Sequence, residues 1–238
     1  MTAVSSIRRT RNCGADIVGL DGPVFAPQGL EEGLAALGGE PVFAAILERA
    51  GAPRFRRRRN GFETLLHIIL EQQVSIDAAA AMFRRLHGLL GEVTPASFLT
   101  VDEPNLRACG FSRQKAAYGR GLAEAVTTGS LDFARLAATP DDDALAALVA
   151  LKGIGRWSAE IYLIFALGRD DVWPAADLGL QFGVAAELRL GDRLGERELR
   201  EIGERWRPWR TVAACLFWQS YLHARNRTAP VLPAELYA

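Results

Sequence analysis

The segment LKGIGRWSAEIYLIFALGRDDVWPAAD, residues 151–177, decides how the rest of the chain is interpreted. Its GIG triplet at 153–155 predicts a tight hairpin, and the apolar spacing that follows predicts an amphipathic helix over 156–167. A helix that opens on glycine offers unpaired N–H groups and lets a phosphate approach closely. Asp177 then falls in the first turn of the next predicted helix. This order favours a nucleic-acid-binding hairpin beside a reactive carboxylate, although GIG alone also fits an ordinary corner between helices.

Composition limits the possible classes of protein. The chain has 238 residues with 49% hydrophobic content, enough to bury a core in one large domain or two small lobes. No apolar run is long enough to span a membrane, and the first residues lack the apolar stretch of a secretion signal, so we expect a cytoplasmic protein. Cys13, Cys109 and Cys215 lie far apart, without metal-ligand spacing.

The charge distribution is uneven although the formal net charge is zero. Neutrality argues mildly against a nucleic-acid partner. However, basic residues cluster in RRTR at 8–11 and RFRRRR at 54–59, while acidic residues gather at 141–143 and between 187 and 204. A neutral total can therefore hide a positive face.

Helical periodicity dominates the chain from about residue 41 onward. Residues 1–38 are rich in small residues and predict a loose arm, with two weak strand candidates within 16–25. The predicted helices are 41–50, 62–70, 76–90, 95–100, 103–108, 112–128, 130–137, 141–150, 156–167, 175–189, 196–205 and 209–224. The predicted fold class is all-α.

The extended motif carries a family resemblance. L-x-G-I-G-x-W-S-A, an aromatic-rich helix and P-x-x-D-L-G-L resemble the helix–hairpin–helix DNA glycosylase superfamily. The resemblance is closest to its alkylation-repair branch, the 3-methyladenine DNA glycosylase II type. Three further segments match that branch in the same order, so the resemblance covers roughly residues 40 to 225. They are FETLLHIILEQQVSIDAAAAMFRRL (62–86), LRACGFSRQKAAYGRGLAEAV (106–126) and WRPWRTVAACLFW (206–218).

The resemblance implies an architecture and an activity. The glycosylase domain would span 39–238, with one helical lobe over 62–165 and a second from 39–61 and 166–238, flanking a DNA-binding cleft. The N-terminal domain of some relatives would be absent or vestigial in 1–38. The implied activity is hydrolysis of the N-glycosyl bond of alkylated purines, chiefly 3-methyladenine, by a monomer acting on double-stranded DNA. No four-cysteine pattern follows the hairpin, so we expect no iron–sulfur cluster and no other cofactor.

Asp177 is the predicted catalytic residue, because P-x-x-D-L is where the branch keeps its acid. A carboxylate beneath the sugar stabilises the positive charge that develops as the base leaves, and it can orient or deprotonate the attacking water. By position alone, an N-terminal capping aspartate is the favoured interpretation, and the family motif reverses that preference. Relatives commonly carry two acids in a row, whereas Ala176 precedes Asp177 here.

Trp157 stands where lyase-competent members of the superfamily carry a nucleophilic lysine, which favours a monofunctional enzyme. Aromatic side chains would stack on the flipped base. The candidates are Trp157, Trp218, Tyr162 and Trp173, in that order. For any one of them, a place in the core is the alternative.

The resemblance also implies DNA contacts. Gln73, with Gln72 or Ser75 nearby, matches the position of the side chain that fills the gap left by the flipped nucleotide, although a polar surface turn is equally consistent. Arg113 and Lys115 are candidate phosphate ligands or ordinary solvated charges. The full predicted set is Gln72, Gln73, Ser75, Arg113, Lys115, Lys152, Gly153, Ile154, Gly155 and Arg156. In relatives, hairpin carbonyls also hold a monovalent cation, which Gly153 and Gly155 suit.

One rival interpretation stays open at this point. A DNA-structure-binding protein could keep the scaffold while having lost catalysis, and Ala176 and the neutral total charge are compatible with it.

Overall fold

The computed structural model describes residues 27–238, and this part of the chain is helical, which confirms the predicted all-α class. It forms no strand there, apart from an isolated antiparallel bridge between Arg58 and Tyr237. None of its helices is long and apolar enough to cross a membrane. The helices are α1 (Leu30–Leu37), α2 (Pro41–Ala50), α3 (Phe62–Glu71), α4 (Ile76–Leu90), α5 (Pro95–Thr100), α6 (Glu103–Ala108), α7 (Arg113–Thr127), α8 (Phe133–Ala138), α9 (Asp141–Val149), α10 (Arg156–Phe165), α11 (Leu178–Leu188), α12 (Glu196–Gly203) and α13 (Arg210–His223).

Side-chain caps explain where many helices begin. An N-cap oxygen accepts a hydrogen bond from a first-turn N–H that would otherwise lack a partner. The capping residues are Ser75, Thr94, Asp102, Ser112, Asp132 and Asp177. Because these residue types stand immediately before apolar periodic segments, most helix starts were predictable to within a few residues.

Two groups of helices share the core. The buried helix α3 packs against α4, α7 and α10, and α10 also packs against α9 across the hairpin. In the second group, α13 packs against α1, α2 and α11. The two helices richest in buried side chains, α3 and α13, therefore each organise one group.

The structure differs from the predicted elements in the N-terminal segment and at two helix starts. The helix predicted from 130 begins at Phe133, after its N-cap Asp132. Residues 30–37 form helix α1, so the loose-arm prediction for 1–38 is wrong for this part, because α1 buries Leu37 against the core and packs on α13. The predicted start of a helix at 175 is also wrong, since Asp177 is the N-cap and α11 begins at Leu178. The weak strand candidates within 16–25 lie outside the described residues.

The last residues of the chain return to the segment that precedes α3. The N–H of Arg59 donates to the carbonyl of Leu236 over 2.8 Å, and the N–H of Ala238 donates to the carbonyl of Arg57 over 3.2 Å. The backbone N–H of Arg58 donates to the carbonyl of Phe165, over 2.7 Å. The segment Arg57–Arg59 is thus held between the chain end and helix α10.

Candidate active site

The hairpin between α9 and α10 has the predicted tight geometry. Gly153 has a φ of 93°, and a Cβ there would lie 2.2 Å from a ring carbon of Tyr118. Ile154 is 3% exposed and anchors the hairpin in the core. Gly155 is the exposed N-cap of α10 and offers no side-chain cap. The first N–H groups of α10 are therefore available to an anion, as at other helix starts.

Gln72 holds the hairpin from inside the protein. Its Nε2 donates to the carbonyl of Gly153 over 2.8 Å and to Oγ of Ser158 over 3.0 Å. Gln72 therefore has a positioning role within the protein, and its contact with DNA stays a prediction. The carbonyl of Gly155 accepts from the N–H of Ala159 over 3.0 Å. Both carbonyls suggested for a monovalent cation thus already accept one hydrogen bond, and the cation stays a prediction.

The turn between α3 and α4 presents Gln73 to solvent. Gln73 adopts a left-handed conformation with a φ of 59°, which an L-residue adopts only where the surrounding turn requires it. Its neighbours Val74 and Ile76 are 40% and 38% exposed. Ser75 caps α4 by accepting from the N–H of Ala78 over 3.2 Å, and its DNA contact stays a prediction. Gln73 remains the candidate wedge.

The predicted basic contacts divide into two kinds. Nζ of Lys115 donates to the carbonyl of Leu70 over 2.6 Å, at the C-terminal end of α3, and burial lowers the pKa of this amine. The C-terminal end of α3 thus holds the charge of Lys115, and its phosphate contact stays a prediction. Arg113 and Lys152 lie exposed at the surface, as does Arg156, whose Nε donates to Oε1 of Glu160 over 2.8 Å. These three remain available to a backbone phosphate.

Asp177 is held by donors from three helices. Its Oδ1 accepts from the N–H of Leu180 and from Nε1 of Trp218, each over 2.8 Å. Its Oδ2 accepts from Nε1 of Trp157 over 3.1 Å. Asp177 is partly exposed, and Trp157 is the second residue of the helix that follows the hairpin. The side chain of Trp157 therefore links the hairpin to the carboxylate. Asp177 caps α11 and also keeps its carboxylate partly exposed.

Trp218 belongs to an aromatic cluster that the motifs did not indicate. Its ring stacks on Phe165 with centroids 5.8 Å apart and an interplanar angle of 25°, and Phe55 meets it edge-on at 5.9 Å. These three side chains, 8 to 9% exposed, form what we call the aromatic wall. Phe55 sits in the basic stretch 54–59, where charge masks its packing role in the sequence.

Two of the predicted base-stacking residues are core residues instead. Tyr162 is fully buried, its hydroxyl donates to Oδ1 of Asn60 and accepts from the N–H of Gly61, and burial raises its pKa. Trp173 is 3% exposed, and its Nε1 donates to the carbonyl of Leu199 over 2.8 Å. Neither ring can meet a flipped base, so both predictions are wrong.

Replacing Tyr162 by Phe tests this correction. The change leaves the N–H of Gly61 without its acceptor, so we expect unfolding in urea to show a loss of about 1–3 kcal/mol. Activity per folded molecule should not change. Tyr221→Phe, at a partly exposed tyrosine, is the matched control and should alter stability by less than about 0.5 kcal/mol. Unchanged stability together with altered base selection would support the original prediction that Tyr162 stacks on the flipped base.

No three His, Cys, Asp or Glu side chains among residues 27–238 come together in a way that could hold a metal ion.

The chain is similar in sequence and structure to known DNA repair proteins. Residues 66–208 match the HhH-GPD superfamily base excision DNA repair protein family. DNA-3-methyladenine glycosylase 1 of Schizosaccharomyces pombe is 33% identical over 76% of this chain and 81% of its own length. The probable bifunctional transcriptional activator/DNA repair enzyme AlkA of Mycobacterium tuberculosis is 31% identical over 97% of this chain, which spans 45% of that protein. A solved structure of the S. pombe 3-methyladenine DNA glycosylase in complex with abasic DNA superposes with a TM-score of 0.74 at 30% identity, over 79% of this chain and 95% of that one.

Proposed function

Because the chain belongs to the HhH-GPD superfamily of base excision DNA repair proteins, we propose that it is a monofunctional DNA glycosylase for alkylated purines, chiefly 3-methyladenine. The observation that carries the proposal is the carboxylate of Asp177, which is partly exposed and held by Trp157 directly beyond the hairpin. Relatives named as 3-methyladenine glycosylases, among them one solved with abasic DNA, support the substrate class.

The proposed reaction needs little acid catalysis, because a 3-methylated adenine carries a positive charge and departs as a neutral base. The C1′–N bond breaks with its electron pair going to the base, and positive charge develops on the sugar. The ionised carboxylate of Asp177 stabilises that charge electrostatically. Water then attacks C1′ and releases one proton, to Asp177 or onward to solvent, which leaves an abasic sugar.

Trp157 supports hydrolysis over a lyase reaction, since tryptophan has no nucleophile to form a covalent adduct with the sugar. Purified protein should release free 3-methyladenine from methylated duplex DNA while the strand stays intact until alkali is added. Borohydride should trap no covalent adduct. Binding to abasic-site duplex without any base release would instead favour a DNA-structure-binding protein on the same scaffold.

Trp157→Phe tests the hydrogen bond to Asp177, because it keeps an aromatic ring and removes the N–H. Hydrogen bonds to charged groups are worth about 1.5–3 kcal/mol, so we expect the single-turnover rate of base release to fall at least about tenfold. The Kd for abasic-site duplex should stay within about twofold. Trp173→Phe loses a comparable indole bond in the core and should cost stability only. An unchanged rate in Trp157→Phe would show that this bond does not serve catalysis.

A further inference from the structure

A buried charged cluster lies directly behind the aromatic wall. Nη2 of Arg58 lies 3.0 Å from Oε1 of Glu71, and Nη1 donates to Oε2 over 3.4 Å. Nδ1 of His67 lies 3.1 Å from the same Oε1. The side chains of Arg58 and Glu71 are only 8% and 5% exposed, and that of His67 is fully buried. The guanidinium of Arg58 packs over the ring of Phe165 at 5.2 Å from its centre.

The formal charges of this cluster cancel. Burial alone would raise the pKa of Glu71, but the charge of Arg58 and the nearby imidazole of His67 lower it to about 2. Burial lowers the pKa of His67 and outweighs the opposing pull of Glu71. At neutral pH the cluster therefore contains one arginine cation, one carboxylate and an uncharged imidazole. Glu71 is the group that neutralises Arg58.

Arg58 lies close enough to the aromatic wall for its charge to act on a flipped base. Arg58 lies 5.2 Å from the ring centre of Phe165, which is 5.8 Å from that of Trp218. The guanidinium is thus within about 11 Å of the ring centre of Trp218, and the ring of Phe165 contacts both groups. At an effective dielectric constant near 20, an unbalanced charge about 10 Å away changes the affinity for a cation by roughly tenfold. An uncompensated Arg58 would repel a positively charged base.

We propose that Glu71 is a specificity-determining residue, whose negative charge cancels that of Arg58 behind the aromatic wall and so allows cationic alkylated purines to bind beside Trp218. The proposal rests on the proposed function and names the class of base that this chain prefers. Glu71 acts through its charge and not through contact with the base. Glu71 is the last residue of α3 and immediately precedes Gln72 and Gln73 in the sequence.

Glu71→Gln tests the proposal with two substrates on one protein preparation. The rate of release of cationic 3-methyladenine is divided by that of neutral hypoxanthine from matched duplexes. We expect this ratio to fall about tenfold in the variant. The substitution leaves Arg58 buried and unpaired and therefore also destabilises the protein. Because both rates come from one sample, the folded fraction cancels in the ratio.

Two further variants separate charge from structure. Arg58→Met combined with Glu71→Gln removes both charges, and buried ion pairs are often replaced by apolar groups without loss of stability. The ratio should return to within about twofold of wild type. Glu124→Gln, at an exposed carboxylate on α7, makes the same change in net charge and should leave the ratio unaltered. An unchanged ratio in Glu71→Gln, or one that the double variant fails to restore, would overturn the proposal.

The failure of this inference can be distinguished from that of the proposed function. No base release by the wild-type protein would refute the function, whereas equal losses on both substrates would refute only the role of Glu71. If wild type releases no neutral base, the same comparison uses Kd values for duplexes with a cationic pyrrolidine or a neutral tetrahydrofuran abasic mimic. Glu71→Gln should then weaken binding of the pyrrolidine duplex about tenfold more than that of the tetrahydrofuran duplex, and an equal effect would refute the proposal.

Discussion

Asp177→Asn is expected to reduce base release from methylated DNA by at least about a hundredfold, which is the loss typical of removing one preorganised electrostatic group. The neutral amide cannot balance the charge that develops on the sugar. If its oxygen keeps the cap of α11, its NH₂ takes the place of Oδ2 and faces the Nε1–H donor of Trp157. Single-turnover release of 3-methyladenine measures the effect. The Kd for abasic-site duplex should stay within a few-fold of wild type, since the hairpin is untouched.

The structure provides a matched control for this variant. Asp177 also caps α11, but asparagine caps helices about as well as aspartate, so the variant should keep its fold. Asp132 caps α8 in the same way, with an exposed carboxylate that accepts two backbone N–H groups. Asp132→Asn should leave base release unchanged. Full activity in Asp177→Asn would remove Asp177 from the reaction and require another acid.

Gly153→Ala is expected to weaken binding to abasic-site duplex by at least about tenfold and to lower the free energy of unfolding by about 1–3 kcal/mol. The added Cβ would lie 2.2 Å from the ring of Tyr118, and the φ of 93° is unfavourable for alanine. The hairpin must therefore shift away from α7, which also breaks the bond from Gln72 to the carbonyl of residue 153. Fluorescence anisotropy and urea unfolding measure the two losses.

Gly121→Ala is the control, since nothing lies within 4 Å of a Cβ at this position inside α7. Alanine favours helix more than glycine, so this variant should be unchanged or more stable by up to about 1 kcal/mol, with normal DNA affinity. Combining Gly153→Ala with Tyr118→Ala removes the clash and keeps the backbone strain, and we expect partial recovery. Wild-type affinity in Gly153→Ala would show that DNA binding does not depend on this hairpin.

Local signals account for what could be predicted from the sequence. Ser75 and Asp177 are helix caps because short polar side chains precede apolar periodic segments, and Gly153 marks a turn that few other residues tolerate. Asp177 could be identified from the sequence because the residues of its motif, P-x-x-D-L, follow one another directly in the chain. Asp177 can cap α11 and also act as the catalytic acid, because one extended backbone conformation serves both roles.

Long-range contacts account for what could not be predicted. Eight of the ten residues of α10 are buried, so periodicity cannot indicate which of its aromatic rings faces the cleft, and Tyr162 was misplaced for this reason. Lys115 bonds a carbonyl 45 residues away, and Gln72 bonds one 81 residues away. A basic stretch such as 54–59 looks solvated in the sequence, yet it contributes Phe55 and Arg58 to the interior.

The convergence of α10, α11 and α13 on one carboxylate has a consequence for recognition. Two indoles and a backbone amide already fix Asp177 in the free protein, so the reactive geometry does not await a closing movement. The DNA and not the protein must then rearrange. The duplex has to bend and unstack to bring its sugar to the fixed carboxylate of Asp177. Flexible pyrimidine–purine steps and mismatched lesions deform at lower energetic cost, and repair should therefore proceed faster in those surroundings than within stiff A-tracts.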